Sequence, residues 1–287
     1  MRIEAERVKP LDMIFTVDLE DWFCSPELSL ADWKRYPFRL EKPTHLLLDM
    51  LDEKNAKGTF FVLGWIAEHK PGLVKEIHRR GHEIASHGYA HRLVYKQSRL
   101  EFKEDIRHSK TLLEQLTGSE VRGYRAPCFS MTEWGLELLE EEGFNYDSSL
   151  MPHSFAGDSG GLGEYPNAGM SFPIKGKLIE YPLPVQRIGN LHIPWGGGGY
   201  YRLYPYELFR YGVKSWLKRH DYFLFYIHPY DLDKEQPRIF RSTWSSSFRR
   251  YYGLGGTRRK IERMLTEYEC TSIEHYEHQA EGMVSHG

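Results

Sequence analysis

Met13-Ile14-Phe15-Thr16-Val17-Asp18-Leu19-Glu20-Asp21 reads as a strand that sinks into a core and emerges carrying acid. Its length and its apolar, partly β-branched composition fit a fully buried strand, and carboxylates close it. The same design recurs downstream. Residues 58–63 (GTFFVL), 82–86 (HEIAS), 121–125 (VRGYR), 144–147 (FNYD) and 222–228 (YFLFYIH) are further short strands. Helical patterns lie between them. Residues 43–56 carry Leu46, Leu47, Met50 and Leu51 on one stripe, and residues 71–80 stop at Gly81. In residues 98–116 a Ser98/Glu101 capping box precedes Phe102, Ile106, Leu113 and Leu116. Residues 132–142 close at Gly143. Strand and helix in alternation predict an α/β fold, a parallel sheet or barrel with its helices outside.

Beyond Ser148 this rhythm breaks. Residues 151–169 are rich in Gly, Pro, Asp and Asn and read as a long loop, and residues 178–193 as two short strands. A four-glycine run at 196–199 precedes a helix at 205–219 with proline in its first turn. An Arg/Ser/Tyr-rich stretch at 238–252 leads to a helix at 257–269. No repeat or linker marks a boundary, so residues 1–287 are expected to form one domain. Its core is placed at about 13–233 and a C-terminal extension at about 234–287.

Composition narrows the classes. The 287 residues hold 38 Lys+Arg against 40 Asp+Glu, with 40% hydrophobic and 27% charged residues, which excludes a disordered or collagen-like chain. A net charge of −2 argues against a nucleic-acid partner. No apolar run approaches the roughly 18 residues of a membrane span. The charged opening (Arg2, Glu4, Glu6, Arg7, Lys9) lacks the apolar region of a secretory signal. Cys24, Cys128 and Cys270 give no disulfide framework, and the expected location is cytoplasmic.

In parallel α/β folds chemistry gathers at the carboxyl ends of strands. Those ends here hold Asp18, Glu20 and Asp21; Ser86-His87-Gly88-Tyr89-Ala90-His91; Arg125-Ala126-Pro127; Asp147-Ser148-Ser149; and His228-Pro229-Tyr230-Asp231. His87 and His91 have the i, i+4 spacing of two metal-binding imidazoles, although 14 histidines in 287 residues give roughly 0.7 such pairs by chance. His78 and His82 share the spacing but straddle Gly81 and are read as structural. The position of His87 and His91 after a strand, opposite an acidic cluster, favours a metal site. Asp18 should lie half-buried and needs a partner, either Arg125 or a metal. Alternation puts Asp18 and Glu20 on one face, with Asp21 past the strand end. His228 follows Phe225, Tyr226 and Ile227 into a water-poor site. Cys128 lacks a partner base and is read as packing. The glycine run lacks the Lys-Ser/Thr of a phosphate loop, and beside Trp195, Tyr200 and Tyr201 it is read as a flexible, substrate-facing loop. Trp22, Trp33 and Trp195 could serve sugar faces or the core equally well.

The order of these motifs resembles that of the polysaccharide deacetylases, carbohydrate esterase family 4 with its NodB-type domain. Residues 16–21 (TVDLED) resemble its first motif, residues 81–91 (GHEIASHGYAH) its second, Arg125-Ala126-Pro127 its third and Phe225-Tyr226-Ile227-His228 its last. The opening and the tail from Trp195 to Tyr252 resemble an exopolysaccharide-locus subgroup, close to the allantoinase-like and peptidoglycan-deacetylase-like branch. The resemblance implies a distorted (β/α)7 barrel, a divalent metal with zinc foremost, and hydrolysis of the acetamide of an N-acetylated sugar in bacterial polysaccharide biosynthesis. It implies His87 and His91 as metal ligands, Asp18 as general base held by Arg125, and His228 as general acid, with Asp147 as its orienting carboxylate. A backbone N–H near Cys128 would face the oxyanion.

Two departures stand out. The family's adjacent Asp-Asp is stretched to Asp18-Leu19-Glu20-Asp21, leaving Glu20 or Asp21 as the metal carboxylate. Phe225 replaces a leucine and would narrow the acetyl pocket. Competing readings are a metal-dependent amidase on a small amide and an inactive sugar-binding module.

Overall fold

A computed structural model describes residues 13–151, 170–188, 191–238, 248 and 250–284. The expected loop at 151–169, save its first residue, and most of the stretch at 238–252 fall outside them. Seven parallel strands form the frame: β1 (Met13–Leu19), β2 (Thr59–Val62), β3 (Glu83–Ser86), β4 (Gly123–Tyr124), β5 (Tyr146–Asp147), β7 (Leu178–Glu180) and β10 (Phe223–Ile227). They run in the order β10-β1-β2-β3-β4-β5-β7, with β6 (Phe172–Lys175) antiparallel on the β7 edge. β8 (Val185–Ile188) and β9 (Leu191–Pro194) form a separate hairpin, and β11 (Cys270–Thr271) pairs with Met13 and Ile14 of β1.

The curled sheet is drawn together by backbone hydrogen bonds past the ends of its strands. Leu183 N–H donates to Leu150 O, Trp195 N–H to Pro184 O and Tyr226 N–H to Gly196 O, at 2.7–3.0 Å. The glycine run is therefore a closing seam against β10 rather than a free loop. Gly197 takes φ +136°, and a Cβ there would collide with the Tyr226 carbonyl oxygen. This close backbone approach requires glycine.

Helices cover the outside: α1 (Leu30–Trp33), α2 (Glu41–Asp52), α3 (Gly64–His69), α4 (Pro71–Arg79), α5 (Arg99–Thr117), α6 (Glu133–Glu141), α7 (Gly198–Leu203) and α8 (Tyr206–Leu217). Helices at Leu254–Glu267 and Ile273–Val284 follow. The capping box of α5 forms as the sequence indicates, with Ser98 Oγ accepting from Glu101 N–H and the Glu101 carboxylate accepting from Ser98 N–H. None of the described helices is long and apolar enough to cross a membrane.

Strand alternation divides the core in two. Phe15, Val17, Leu19, Phe60, Phe223, Phe225 and Ile227 face the helices. Ile14, Phe61, Ala85, Tyr146, Leu224 and Tyr226 fill the inner side of the curl. By the same parity, Thr16, Asp18 and Glu20 line that inner side. Phe225 is the correction that follows. It sits three residues before His228, an odd spacing, so it packs outward on Phe15, Tyr201 and Phe209 and does not narrow an acetyl pocket. Tyr226 is the inward aromatic.

Candidate active site

The strands deliver their polar ends to one place. At the end of β1, Glu20 Oε1 lies 3.1 Å from His87 Nε2 and 3.0 Å from His91 Nε2. A carboxylate oxygen and one nitrogen from each imidazole all fall within 4.8 Å of one another, and all three residues are buried. The segment carrying the histidines is locally shaped for this. Gly88 has φ +71° and His91 φ +52°, an uncommon value for a residue with a side chain. Asp105, reaching from α5, accepts from Tyr89 N–H at 2.9 Å and pins the turn. Nothing in the strand reading pointed to Asp105. Its signal is helical spacing, three residues after Phe102 on the helix that covers the histidine turn.

His87 Nδ1 donates to Arg125 O at 2.7 Å, which fixes the tautomer and leaves the Nε2 lone pair facing Glu20 and His91. One carboxylate and two imidazoles so oriented are a donor set that fits a divalent cation such as zinc. Burial would raise the Glu20 carboxyl, but His91, His87 and His228 outweigh it and hold Glu20 well below the usual range. Burial likewise opposes a charge on His87, yet the Glu20 hydrogen bond and the nearby Asp18 raise it.

Of Glu20 and Asp21, it is Glu20 that stands with the two histidines. Asp21 accepts from the backbone N–H groups of Trp22, Arg39 and Leu40 at 2.7–3.0 Å. Past the strand end it has turned away to tie the following loop.

Beside the triad stands an ion pair. Arg125, fully buried, donates from Nη1 to Asp18 Oδ1 at 2.7 Å and to Thr16 Oγ1 at 2.9 Å. Its Nε and Nη2 reach Ser148 O and Ser148 Oγ, and Phe61 lies under the guanidinium at 4.0 Å. All three guanidinium nitrogens are engaged, so the ring of contacts holds Asp18 in one orientation. Removing one partner of such a pair typically costs about 3–5 kcal/mol. Across from Arg125, His228 Nε2 stands 3.8 Å from Asp18 Oδ2.

His228 is oriented by Asp231 and not by Asp147. Asp231 Oδ2 accepts from both His228 Nδ1 (3.1 Å) and His228 N–H (3.0 Å), closing the turn Pro229–Leu232. Tyr230 stacks on the imidazole at 4.5 Å and 13°. Burial pulls the His228 imidazole down, and Arg202 adds to this against the upward pull of Glu20 and Asp18. Asp147 alternates outward, between the inward Tyr146 and Ser148. It accepts from Ser149 Oγ at 2.6 Å and faces Glu180, its register partner on β7. Burial lifts Asp147 to about 6 and Glu180 well above its usual range, so both carboxyls of this pair give up their protons less readily than in water.

The expected sugar platform does not form as read. Trp195 is buried, stacks on Tyr204 at 4.5 Å and donates from Nε1 to Phe209 O. Trp22 and Trp33 are buried in an aromatic cluster with Phe23, Tyr36 and Trp65. Tyr200 is half-buried on α7. Cys128, read as packing, is instead exposed. It and Phe129 take consecutive left-handed conformations, φ 52° and 58°, immediately after Arg125-Ala126-Pro127.

Residues 37–146 match the polysaccharide deacetylase family, and residues 148–277 match a domain of unknown function (DUF3473). A peptidoglycan-N-acetylglucosamine deacetylase of Bacillus cereus is 29% identical over 132 residues, 40% of this chain and 48% of that one. A peptidoglycan deacetylase of Helicobacter pylori is 32% identical over 109 residues, 38% of this chain and 37% of that one. The chain thus spans less than half the length of these relatives. A solved structure assigned as a polysaccharide deacetylase, from Mycobacterium smegmatis, superposes with a TM-score of 0.65 at 23% identity, covering 98% of this chain and 94% of the other. That likeness concerns the fold. Residues 37–146 thus carry the match to the polysaccharide deacetylases, and the ordered strand-end motifs and the fold of the whole agree with it.

Proposed function

We propose that the protein is a metal-dependent hydrolase that removes the acetyl group from an N-acetylated sugar of a bacterial glycan. The exopolysaccharide class is the one suggested by the opening and tail motifs. The observation that carries the reading is the convergence of two devices within one buried end of the sheet: the Glu20-His87-His91 donor set, and the Asp18-His228 pair facing each other at 3.8 Å. The sugar class rests on the relatives, named as deacetylases of peptidoglycan and of peptidoglycan N-acetylglucosamine.

Glu20, His87 and His91 would hold the cation, which supplies Lewis-acid polarisation of the amide carbonyl and of the attacking water. Asp18, held in place by Arg125, accepts the proton that water loses as it attacks. His228 delivers a proton from Nε2 to the departing nitrogen, because an amide anion is too poor a leaving group. Asp231 at Nδ1 fixes the ring for that transfer. The balance is one water consumed, with acetate and a free amine released.

The test is acetate release from N-acetylglucosamine oligomers, measured beside metal content by plasma mass spectrometry before and after zinc reconstitution. About one cation per chain and metal-dependent acetate release are expected. A protein that takes up no metal, or a loaded protein that releases no acetate from any N-acetylated sugar while hydrolysing a small amide, would overturn the proposal.

A further inference from the structure

Asp231 is itself held, by a residue from the half of the chain that matches a domain of unknown function. Arg202, on α7 and 3% exposed, donates from Nη1 to Asp231 Oδ1. Its Nε reaches Tyr252 O at 3.1 Å and its Nη2 reaches Arg250 O at 2.7 Å. One guanidinium therefore joins three segments: α7, the turn after β10, and residues 250–252. Each Asp231 oxygen has its own task. Oδ1 faces Arg202, and Oδ2 accepts from the ring Nδ1 and the backbone N–H of His228.

The surroundings make this arrangement specific. Lys260 Nζ donates to the carbonyls of Tyr201, Arg202 and Tyr204 at 2.6–3.3 Å, which anchors the end of α7. Gly253 takes φ +75° with the Arg202 carbonyl 3.0 Å from where a Cβ would stand, so the 250–252 segment packs close against α7. Arg250 lies over the Tyr230 ring at 4.9 Å and donates to Trp22 O, tying the same segment to the loop after β1. A buried carboxylate needs fixed partners, and one that orients a histidine must not rotate.

We propose that Arg202 is a positioning residue for the reaction. By holding Asp231 Oδ1 it fixes which oxygen meets His228, and so keeps the proton-delivering ring aimed at the site. The inference rests on the proposed role of His228 as acid. Its physical content, the orientation of the ring, can be read without any activity.

The test is a double-mutant cycle of Arg202→Met and Asp231→Asn, with Arg202→Lys as the conservative variant. Folded fraction is followed by circular dichroism. Arg202→Met should lower kcat about 10- to 100-fold with KM little changed, as expected when an aligned group is displaced by a fraction of an ångström. Arg202→Lys should recover part of the loss, and in the Asp231→Asn background Arg202→Met should cost nothing more. Independently, ¹⁵N spectra of the neutral His228 ring, assigned with His228→Gln, should show the Nδ1–H tautomer in the wild type and a mixture in Arg202→Met. Additive losses, or an unchanged tautomer in a folded Arg202→Met protein, would overturn the proposal. A protein with no deacetylase activity on any sugar but with the expected tautomer change would instead overturn the function and leave the positioning intact.

Discussion

The two halves of the chain contribute to the site in different ways. Up to Asp147 the chain is a run of strand-helix units, and three of the five strands contribute a polar end: Asp18 and Glu20 from β1, His87 and His91 from β3, and Arg125 from β4. From Ser148 onward the chain supplies His228 and a scaffold of long-range ties around it, from Arg202 to Asp231, from Arg250 to Trp22 and from Lys260 to the end of α7. The first half assembles the proposed ligands and base by repetition of one local plan. The second half aims a single imidazole by contacts between segments distant in sequence. One half should therefore fail by losing its cation, and the other by losing its aim.

The largest effects should fall in the first half. His87→Ala with His91→Ala is expected to lose both bound metal and all measurable acetate release. Asp21→Asn should keep the metal, because Asp21 ties backbone N–H groups. Metal content by plasma mass spectrometry checks both, and metal retained in the double-histidine variant would dissolve the contrast between the halves. Next comes His228→Ala, which should keep its metal and lose about 10²–10⁴-fold in kcat, the usual contribution of a positioned acid. Loss of metal in that variant would mean that the second half also holds the cation.

How much of this is legible in the sequence follows the same division. The capping box of α5, the Gly143 stop and the inward parity of Asp18 and Glu20 are local, short-range consequences of spacing, and they appear where spacing puts them. Asp231 is equally local, three residues after His228, yet the family resemblance points to Asp147 for its role. What decides between them is the pleat. Asp147 alternates to the outside of the sheet, and only a register against Glu180 on β7 makes that visible. The glycine run reads as a flexible loop because sequence cannot show the Tyr226 carbonyl it must approach. Arg202 carried no motif at all. Its meaning lies in partners 29, 48 and 50 residues away.

The Asp147–Glu180 pair offers a gentler probe, because it holds the segment through Ser149 from which Arg125 takes two of its acceptors. Both carboxyls are raised above their usual range by burial, Asp147 to about 6. A group raised on folding contributes stability that is present at low pH and lost as pH climbs through its folded value. Glu180→Gln mimics the protonated acid, retaining an acceptor for Leu150 N–H and a donor toward Asp147. Its melting temperature should match the wild type at and below about pH 4, where the carboxyl is protonated folded and unfolded alike, and exceed it by a growing margin as pH climbs from there through the raised folded value of Glu180. Parallel pH curves for the two proteins would show that the pair carries no shared proton.

The smallest effect on catalysis is expected at Phe225, where the two halves meet on β1 and β10. If this ring narrowed the acyl pocket, Phe225→Leu would let a propionyl group compete with acetyl. Its packing on Phe15, Tyr201 and Phe209, fully buried on the helix side of the sheet, says otherwise. The substitution deletes part of a core ring, so a stability loss of about 1–3 kcal/mol is expected, below the full cost of Phe→Ala. The ratio of kcat/KM for N-acetyl over N-propionyl substrate should stay within about twofold, since one methylene in a lining pocket would be worth roughly 10-fold or more. A changed ratio without a lowered melting temperature would place Phe225 back at the substrate, and would mean that the alternation of β10 is broken before His228.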